Sequence, residues 1–590
     1  MKTWGLLLSI VAIFLSAALS VLSFATSTFM DASTKTPEVW NSDSRSQHAL
    51  DFRFYLPTIT RNFNASPVPD FILTVTPISQ TVMQGQSAVY TVSLTPLHGF
   101  TAPVYLSFSG VLSGETSWDH TLLTPTMGTS NLPVVSMLAL TTTANGYTGS
   151  HSLFITGTSG VLQHAVIFTL TVSPLPVVRL WQSIPLDPEY SGGWVVAGDL
   201  DGDDVVDIVS AQNHNQDGVH YASAVVAQRL DGSILWRWGD PSIGQKCLSY
   251  DVPVQIYDWD GDGTNEVVLL TKVGSDSFLV ELEGATGFER RRFSIPTDAT
   301  DSIVFANVSG NDRATDVLVK TRYTQVWAYT YAGELLWTYR PADKALTAHQ
   351  PRPIDIDGDS RDEIMAGFSL LNADGSVRWT YASKGHLDTM RVLRMGTTPD
   401  EFRLVITACG GKTLAVLDGN GQTVWKLSGY HFESVDIGPV CSQIPGNQIV
   451  VDIDHQPFYA SPLWILDEDG VRLSEISTYR SRHHRLIDWT GAGIQSLVIS
   501  EAIPPGLFDC SLHYVATFEL PRIAGDAPTN PECVEGALPG SLFLVEVGDM
   551  TGDRIPDILL HSLAAVYIFE NENGLPLATL LGTEINVTLY

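Results

Sequence analysis

The stretch Asp258-Trp-Asp-Gly-Asp-Gly-Thr-Asn-Glu266 lies between two apolar runs, Val252 to Tyr257 and Val267 to Thr271. Counted from Asp258, its acidic residues occupy positions 1, 3, 5 and 9. A glycine-rich turn with this spacing can gather these carboxylate oxygens and the backbone carbonyl of position 7 around one hard cation, and Ca2+ prefers such ligands. The flanking runs have the length of strands and lack helical periodicity. The sequence therefore predicts a metal-binding loop between two β-strands.

Three further stretches repeat this spacing, again between apolar runs. A plain acidic hairpin turn could explain any one of them, but turn preferences alone do not explain four turns with the same spacing. The sequence predicts three to four Ca2+ sites, with a weaker match where Thr551 stands at position 3. The further stretches are Asp199-Leu-Asp-Gly-Asp-Asp-Val-Val-Asp207, Asp355-Ile-Asp-Gly-Asp-Ser-Arg-Asp-Glu363 and Asp549-Met-Thr-Gly-Asp-Arg-Ile-Pro-Asp557. The predicted ligands are Asp199, Asp201, Asp203, Asp207, Asp258, Asp260, Asp262, Glu266, Asp355, Asp357, Asp359, Glu363, Asp549, Asp553 and Asp557.

The acidic stretches belong to a longer series of repeats with a period of about 50 residues. A second feature follows the same period, a glycine hairpin that often leads to a tryptophan, as in Leu230-Asp-Gly-Ser-Ile-Leu-Trp236. Two such features at one period are typical of the four-stranded blades of a β-propeller. The sequence predicts eight blades, or seven if the degenerate copy near Arg394 is not a blade. The repeat positions are Asp199, Asp258, Asn307, Asp355, the copy near Arg394, Asp436, Asp488 and Asp549.

The predicted architecture is all-β, with a signal peptide or N-terminal anchor at 1–25, a linker at 26–69, a sandwich at 70–174 and a propeller at 175–590. Short alternating segments separated by turn residues indicate the sandwich. Its run Thr74-Val-Thr-Pro-Ile-Ser-Gln-Thr-Val-Met-Gln-Gly-Gln-Ser-Ala-Val-Tyr-Thr-Val92 resembles bacterial immunoglobulin-like modules.

The stretch Arg179-Leu-Trp-Gln-Ser-Ile-Pro185 is similar in sequence to Arg292-Phe-Ser-Ile-Pro296, a predicted outer strand of the propeller. We therefore expect the beginning of the propeller segment to help close the ring, which protects sheet edges.

The net charge of −31, from 33 basic and 64 acidic residues, argues against nucleic acid and anionic membranes as partners. The apolar N-terminal stretch predicts a secreted or cell-surface protein, with no membrane span other than a possible N-terminal anchor. We also expect a monomer. Its predicted partner is an extracellular polysaccharide or protein. Among the five cysteines, Cys510 and Cys533 bracket the longest insertion and are the first candidate disulfide, with Cys409 and Cys441 second and free thiols as the alternative.

Four successive repeats carry histidine just before the repeat position, where the segments leading into the innermost strands converge at one rim of the channel. Near the last of them lie Arg482 and Arg485, which could bind a carboxylate or sulfate, or could form local ion pairs. The histidines are His349, His386, His431, and His483 with His484. We predict His431, Arg482, His483, His484 and Arg485 as substrate-binding residues.

The acidic repeats resemble the FG-GAP or VCBS repeats of integrin-like propellers, which serve many functions. A narrower resemblance connects the chain to bacterial rhamnogalacturonan lyases with eight-bladed, calcium-binding propellers. It rests on His349-Gln-Pro-Arg-Pro-Ile-Asp-Ile-Asp-Gly-Asp-Ser-Arg-Asp-Glu-Ile364, Gly385-His-Leu-Asp388 and His484-Arg-Leu-Ile-Asp-Trp-Thr-Gly491.

The lyase resemblance implies that His349, His386 and Asp388 lie in an active cleft. One histidine would transfer a proton, and Asp388 would orient it or bind a metal. Arg482 or Arg485 would hold the uronate carboxylate during β-elimination.

The function that we predict first is a calcium-stiffened scaffold that binds a glycan or protein without performing a reaction, because this function needs only the acidic loops. The alternative is a polysaccharide lyase of the rhamnogalacturonan lyase type. A third hypothesis is a quinone-binding redox propeller, suggested by the glycine-to-tryptophan hairpins, although tryptophans that pack between blades explain those hairpins more simply.

Overall fold

The computed structural model describes residues 67–589 except 127–131, 217–218, 249–250, 343–344, 409, 454–460, 479–482, 503, 521–543 and 579. The predicted signal or anchor at 1–25 and all but the last residues of the predicted linker lie outside this part, as do Arg482, Cys409 and Cys533. Pro67 to Tyr590 forms one compact unit. No helix among the described residues is long and apolar enough to cross a bilayer.

Residues 70–173 form a two-sheet sandwich, as predicted. The nine strands are β1 Asp70–Thr76, β2 Ser79–Met83, β3 Ser87–Leu97, β4 Val104–Ser109, β5 Gly114–Trp118, β6 Leu122–Leu123, β7 Val134–Thr142, β8 Gly149–Ser159 and β9 Leu162–Ser173. One sheet has the order β1-β3-β7-β5 and the other β2-β9-β8-β4-β6. Side chains alternate between buried and exposed along β1 and β3, because successive residues of a strand point to opposite faces. The inward side chains of both sheets, including Phe71, Tyr90 and Phe168, form one core.

The remaining strands build the propeller. They are β10 Val177–Val178, β11 Gln182–Pro185, β12 Trp194–Gly198, β13 Asp207–Gln216, β14 Val219–Arg229, β15 Ile234–Gly239, β16 Val254–Tyr257, β17 Glu266–Val273, β18 Asp276–Glu283, β19 Glu289–Ile295, β20 Ser302–Ala306, β21 Asp316–Lys320, β22 Val326–Tyr329, β23 Leu335–Tyr339, β24 Thr347–Ile354, β25 Glu363–Gly367, β26 Ser369–Leu371, β27 Val377–Thr380, β28 Leu387–Arg394, β29 Arg403–Ala408, β30 Thr413–Leu417, β31 Thr423–Ser428, β32 Phe432–Gly438, β33 Gln448–Ile453, β34 Ser461–Leu466, β35 Arg472–Thr478, β36 His484–Ile487, β37 Ser496–Ile499, β38 Gly506–Phe508, β39 Tyr514–Phe518, β40 Leu544–Asp549, β41 Asp557–His561, β42 Ala565–Phe569 and β43 Gly582–Thr583. A short 3-10 helix spans Pro399–Glu401.

These strands form eight blades within the described residues. Blades 1 to 6 each use four consecutive strands, from β12–β15 to β32–β35. Blade 7 combines β36–β39 with β10, and blade 8 combines β40–β42 with β11. The eight-bladed prediction is confirmed, because the degenerate copy near Arg394 ends β28, the innermost strand of blade 5.

The predicted role of the Arg179 to Pro185 segment in ring closure is also confirmed. Residues of β11 pair antiparallel with β42, with Gln182 opposite Ile568. The last blade is thus completed by a strand from the beginning of the propeller segment.

Neighbouring blades are linked by the tryptophans of the glycine hairpins. Trp337 of blade 3 donates its indole N–H to the Ala373 carbonyl in the hairpin of blade 4, at 2.9 Å. The hairpin residue Gly375 has φ +80°, and a Cβ there would lie 2.6 Å from the Trp337 ring. Trp236, Trp379 and Trp425 make equivalent hydrogen bonds. These tryptophans are therefore packing residues between blades.

The channel is filled by the segment Gly582–Leu589, which we call the channel segment. Its strand β43 pairs with β40 of blade 8 and β12 of blade 1. The Asn586 side chain then bonds both backbone groups of Phe305 in blade 3. The Val587 carbonyl accepts hydrogen bonds from Gln255 of blade 2 and Gln350 of blade 4. Arg485 of blade 7 donates to the Thr588 carbonyl, so one short segment ties six blades together from inside.

Two sequence assignments were wrong. Cys441 is bonded to Cys510, so neither predicted disulfide forms. This bond links blade 6 to blade 7. The repeat position of blade 6 is also not Asp436: Gly438 pairs with Gln448 as Ile354 pairs with Glu363 in blade 4, which places Asp436 three residues too early.

Candidate functional site

Two irregular innermost strands carry the predicted proton-transfer residues. The pairing of β24 with β25 shifts register between Thr347 and Arg352, and His349 lies inside this shift. The pairing of β28 with β29 shifts between Leu387 and Met390, around Asp388. Such bulges turn side chains away from their regular direction. They occur at the beginning of the strands, whereas the acidic loops follow the ends of innermost strands, so the two sets of residues lie at opposite ends of the ring.

The structure brings His349, His386 and Asp388 together, as the lyase resemblance implied. The Asp388 Oδ1 atom lies 3.0 Å from Nε2 of His386 and 3.5 Å from Nε2 of His349. The two imidazoles meet edge to face with centroids 4.6 Å apart. Asp388 and His349 are buried, whereas 17% of the His386 side chain is exposed. Asp388 can therefore accept an N–H from either ring and fix its orientation.

Tyr323 completes this group, and the sequence reasoning missed it. It lies in the loop between β21 and β22 of blade 3, and its hydroxyl is 3.5 Å from His349 Nε2. Its ring stacks on His386, with centroids 4.4 Å apart. Burial raises the pKa of Tyr323 above its ordinary value, so the phenol stays protonated at neutral pH. We call Tyr323, His349, His386 and Asp388 the rim cluster.

A buried charge group lies beside the rim cluster and was also missed. Asp301 is contacted by Lys320 Nζ, by Arg322 Nη1 at 3.4 Å and by His220 Nδ1 at 3.3 Å. Burial opposes the ionisation of Asp301, but the neighbouring cationic groups outweigh it and lower its pKa. The Arg322 guanidinium lies 4.8 Å from the ring centroid of Tyr323. The sequence signal was the polar loop Thr321-Arg-Tyr-Thr-Gln325, which connects the second and third strands of its blade at the same rim.

The other predicted substrate-binding residues contact different groups. His431 lies 3.1 Å from Glu433, and His484 lies 3.7 Å from Asp436. His483 accepts a hydrogen bond from Ser500 at its backbone carbonyl.

Arg485 is engaged by the chain itself. It contacts Glu546 at 3.4 Å and donates to the Thr588 carbonyl of the channel segment at 2.9 Å. A carboxylate ligand at Arg485 would have to displace these partners. Arg482 lies outside the described residues.

Three acidic loops have the predicted convergence of carboxylates. In each, the acids at positions 1, 3 and 5 place oxygen atoms within 4.8 Å of one another. These residues are Asp199, Asp201 and Asp203, then Asp258, Asp260 and Asp262, then Asp355, Asp357 and Asp359. This donor set fits Ca2+. The loop with Asp549, Asp553 and Asp557 has Thr551 at position 3 and so lacks one of these carboxylates.

The acid at position 9 has a structural role as well. It is buried, and one of its oxygens accepts the backbone N–H of position 2, as Glu266 does from Trp259 at 2.9 Å. Asp316 accepts the Ser309 N–H at 2.7 Å in a loop that lacks the other acids. Burial raises the pKa of Glu266 to about 7. This position therefore closes the turn with or without an ion. Asp207, Glu363 and Asp557 make the same bond.

An arginine of the same blade contacts each of the three convergent loops. Arg290 lies 2.7 Å from Glu266 and 3.0 Å from Asp260. Arg229 and Arg378 contact the position-3 acids Asp201 and Asp357. A cation in these loops would share the acid of position 3 with an arginine, and in the loops with Glu266 and Glu363 also the acid of position 9. The arginine lowers the negative charge available to the ion.

No protein-family model matches the chain. It is 25% identical over 281 residues to rhamnogalacturonan endolyase YesW of Bacillus subtilis (strain 168), covering 36% of this chain and 44% of that protein. It is 23% identical over 300 residues to rhamnogalacturonan exolyase YesX of the same organism, covering 40% of this chain and 48% of that protein. These sequence relatives are both lyases.

The chain thus spans about half the length of the curated relatives that it matches. The crystal structure of YesW aligns with a TM-score of 0.48 and 17% identity, covering 86% of this chain and 90% of that chain. The scaffold function that we predicted first is wrong in the light of the two lyase relatives, which favour the lyase alternative. The resemblances to FG-GAP or VCBS repeats and to immunoglobulin-like modules stay predictions, since no family model matches.

Proposed function

We propose that this chain is a polysaccharide lyase that cleaves a rhamnogalacturonan-type polymer by β-elimination next to a uronate. The observation that carries the proposal is the rim cluster, in which two imidazoles share one buried carboxylate beside a protonated phenol. The relation to two lyases over part of the chain supports the same reaction class. The substrate comes from those relatives, and the chemistry comes from the cluster.

The reaction needs a base, an acid and a group that stabilises the carboxylate. Removal of the proton α to the uronate carboxylate and cleavage of the bond to the leaving oxygen create a carbon–carbon double bond, and the leaving oxygen takes up a proton. We assign the base to His386, the more exposed histidine. When Asp388 accepts its Nε2–H, the Nδ1 lone pair is left to take the proton.

Tyr323 is our candidate for the acid. Its phenol is protonated because burial raises its pKa, and its ring lies directly against His386. His349 then holds the phenol and Asp388 in position.

Metal ions are part of the proposal in two places. We propose Ca2+ in the three convergent acidic loops, where it would stiffen the connections between strands. The atoms of His349, His386 and Asp388 also lie within 4.8 Å of one another, and this donor set suits a divalent cation that would neutralise the substrate carboxylate. Bound to a metal, the two imidazoles would be ligands, so one metal ion fewer in His386→Ala than in the wild type separates this arrangement from the proton-transfer one.

We further propose export to an oxidising compartment. The Cys441–Cys510 bond supports this location, because disulfides persist mainly outside the cytosol. The predicted signal at 1–25 agrees with it, and a monomer remains our expectation.

The test is incubation of the purified protein with rhamnogalacturonan, followed by the ultraviolet absorbance of the unsaturated product. We expect product from the wild type and a loss of at least about 100-fold in His386→Ala, the lower range for a general base. His151→Ala in the sandwich is the matched control and should keep full activity. A folded protein that releases no unsaturated product from rhamnogalacturonan or polygalacturonate would contradict the proposal.

A further inference from the structure

We propose that Arg322 recognises the uronate carboxylate and makes the site specific for the free acid over its neutral methyl ester. This inference rests on the proposed function, because it names the group that selects the substrate at the rim cluster.

The position of Arg322 is the first argument. Its guanidinium lies 4.8 Å from the centroid of the Tyr323 ring, and His386 stacks on the same ring at 4.4 Å. In a β-elimination the proton that leaves is on the carbon that bears the carboxylate. The base and the carboxylate-binding group must therefore belong to one site, and both His386 and Arg322 contact Tyr323 of the rim cluster.

Exposure separates Arg322 from the cations around it. Its side chain is 19% exposed, whereas that of Lys320 is 0% exposed. The Lys320 ammonium group is buried, contacts Asp301 and donates to the Arg322 carbonyl at 2.9 Å. Arg322 is the member of this pair that a ligand at the rim can reach.

The chemistry of the side chain is the second argument. Arg322 and the buried Lys320 both contact the Asp301 carboxylate, on a chain whose net charge is −31. Arginine can bind a substrate carboxylate through two parallel hydrogen bonds.

Two further carboxylates face this region, and both have their own partners. Asp388 lies against His349 and His386 of the rim cluster. Asp251 is buried and accepts hydrogen bonds from Thr588 and Leu589 of the channel segment.

The loop that carries Arg322 is held rigidly, as a recognition group requires. Thr321 Oγ1 accepts the backbone N–H groups of Thr324 at 2.9 Å and Gln325 at 3.0 Å. Together with the Lys320 contact to the Arg322 carbonyl, these bonds fix the loop from both sides. The guanidinium is thus presented from a fixed backbone.

The kinetic test compares a uronate oligosaccharide with its methyl ester in the wild type, Arg322→Ala and Arg322→Lys. We expect the wild type to prefer the free acid. In Arg322→Ala, kcat/KM for the free acid should fall about 10- to 100-fold, the range for a lost charged hydrogen bond, while the value for the ester changes little. Arg322→Lys should keep part of the preference. Arg292→Ala, an exposed arginine of blade 2, is the matched control and should change neither value.

A binding measurement separates this inference from the lyase proposal. Galacturonate and its methyl ester are titrated into the wild type and into Arg322→Ala, with folding checked by melting temperature. Binding of galacturonate that is lost in Arg322→Ala supports the inference even if the protein cleaves nothing. An unchanged preference for the acid in Arg322→Ala, or an equal fall for acid and ester, overturns it even if the protein is a lyase.

Discussion

Tyr323 and His386 stack with ring centroids 4.4 Å apart and planes 19° from parallel, although they come from blades 3 and 5 of the ring. His349 of blade 4 contacts both of them. The candidate site therefore requires three consecutive blades in their correct positions. Packing between blades and the chemistry at the rim are connected through this contact.

The hydroxyl of Tyr323 can be removed without removing the stacked ring. In Tyr323→Phe we expect the rate of product formation to fall at least about 100-fold, because the leaving oxygen loses its proton donor. The melting temperature should stay close to that of the wild type, since the ring contact with His386 remains. Tyr105→Phe, an exposed tyrosine of the sandwich, is the control. Full activity in Tyr323→Phe would exclude the phenol as the acid.

Removal of calcium should lower stability through the three convergent loops. We expect elemental analysis to find about three Ca2+ ions per chain and chelation to lower the melting temperature, because ligands that bind only the native state stabilise it. Asp260→Asn should remove one ion, whereas Asp553→Asn in the loop with Thr551 should have a smaller effect. If elemental analysis finds no calcium and chelation leaves the melting temperature unchanged, these loops are simple turns.

The hairpin glycine Gly375 should be sensitive to substitution for two reasons. An added Cβ would lie 2.6 Å from the Trp337 ring, and the backbone has φ +80°. Gly274 has φ +63° with no atom within 4 Å of such a Cβ, so Gly274→Ala isolates the backbone effect. We expect Gly274→Ala to cost about 1 kcal/mol and Gly375→Ala about 1–3 kcal/mol more in denaturant unfolding. Equal losses of unfolding free energy in the two variants would mean that the Trp337 ring can move aside at little cost.

Acid should destabilise the propeller through His561, which is buried in blade 8. Burial lowers the pKa of His561 to about 3, whereas in the unfolded chain it is about 6.5. Below pH 6.5 the unfolded state binds a proton that the folded state does not bind, so stability falls as the pH drops toward 3, by about 1.4 kcal/mol per pH unit at most.

Replacement of this histidine should flatten that dependence. His561→Gln cannot take up the proton, and its unfolding free energy should therefore vary less between pH 6.5 and 4 than that of the wild type. His151→Gln in the sandwich is the control. Parallel pH profiles for the wild type and His561→Gln would contradict the assignment.

The blade count and the acidic loops could be predicted because each loop is formed by neighbouring residues of one repeat. The grouping of His349, His386 and Asp388 followed from their similar positions relative to successive repeats. Tyr323 and Arg322 were missed because they lie on the loop between the second and third strands, where no repeat pattern marks the residues. The Cys441–Cys510 bond was missed for a related reason: spacing along the chain does not reveal which loops of adjoining blades meet. Asp436 was misplaced because an acid after apolar residues imitates the repeat.

The channel segment has a consequence for biosynthesis. Blades 7 and 8 receive their outermost strands from Val177–Val178 and Gln182–Pro185, and residues 582–589 connect six blades from inside. During translation or export β10 and β11 stay unpaired until their partner strands, several hundred residues later in the chain, have emerged. Blades 7 and 8 therefore cannot be completed until nearly the whole propeller has been made, and until then their unpaired edges are open to aggregation.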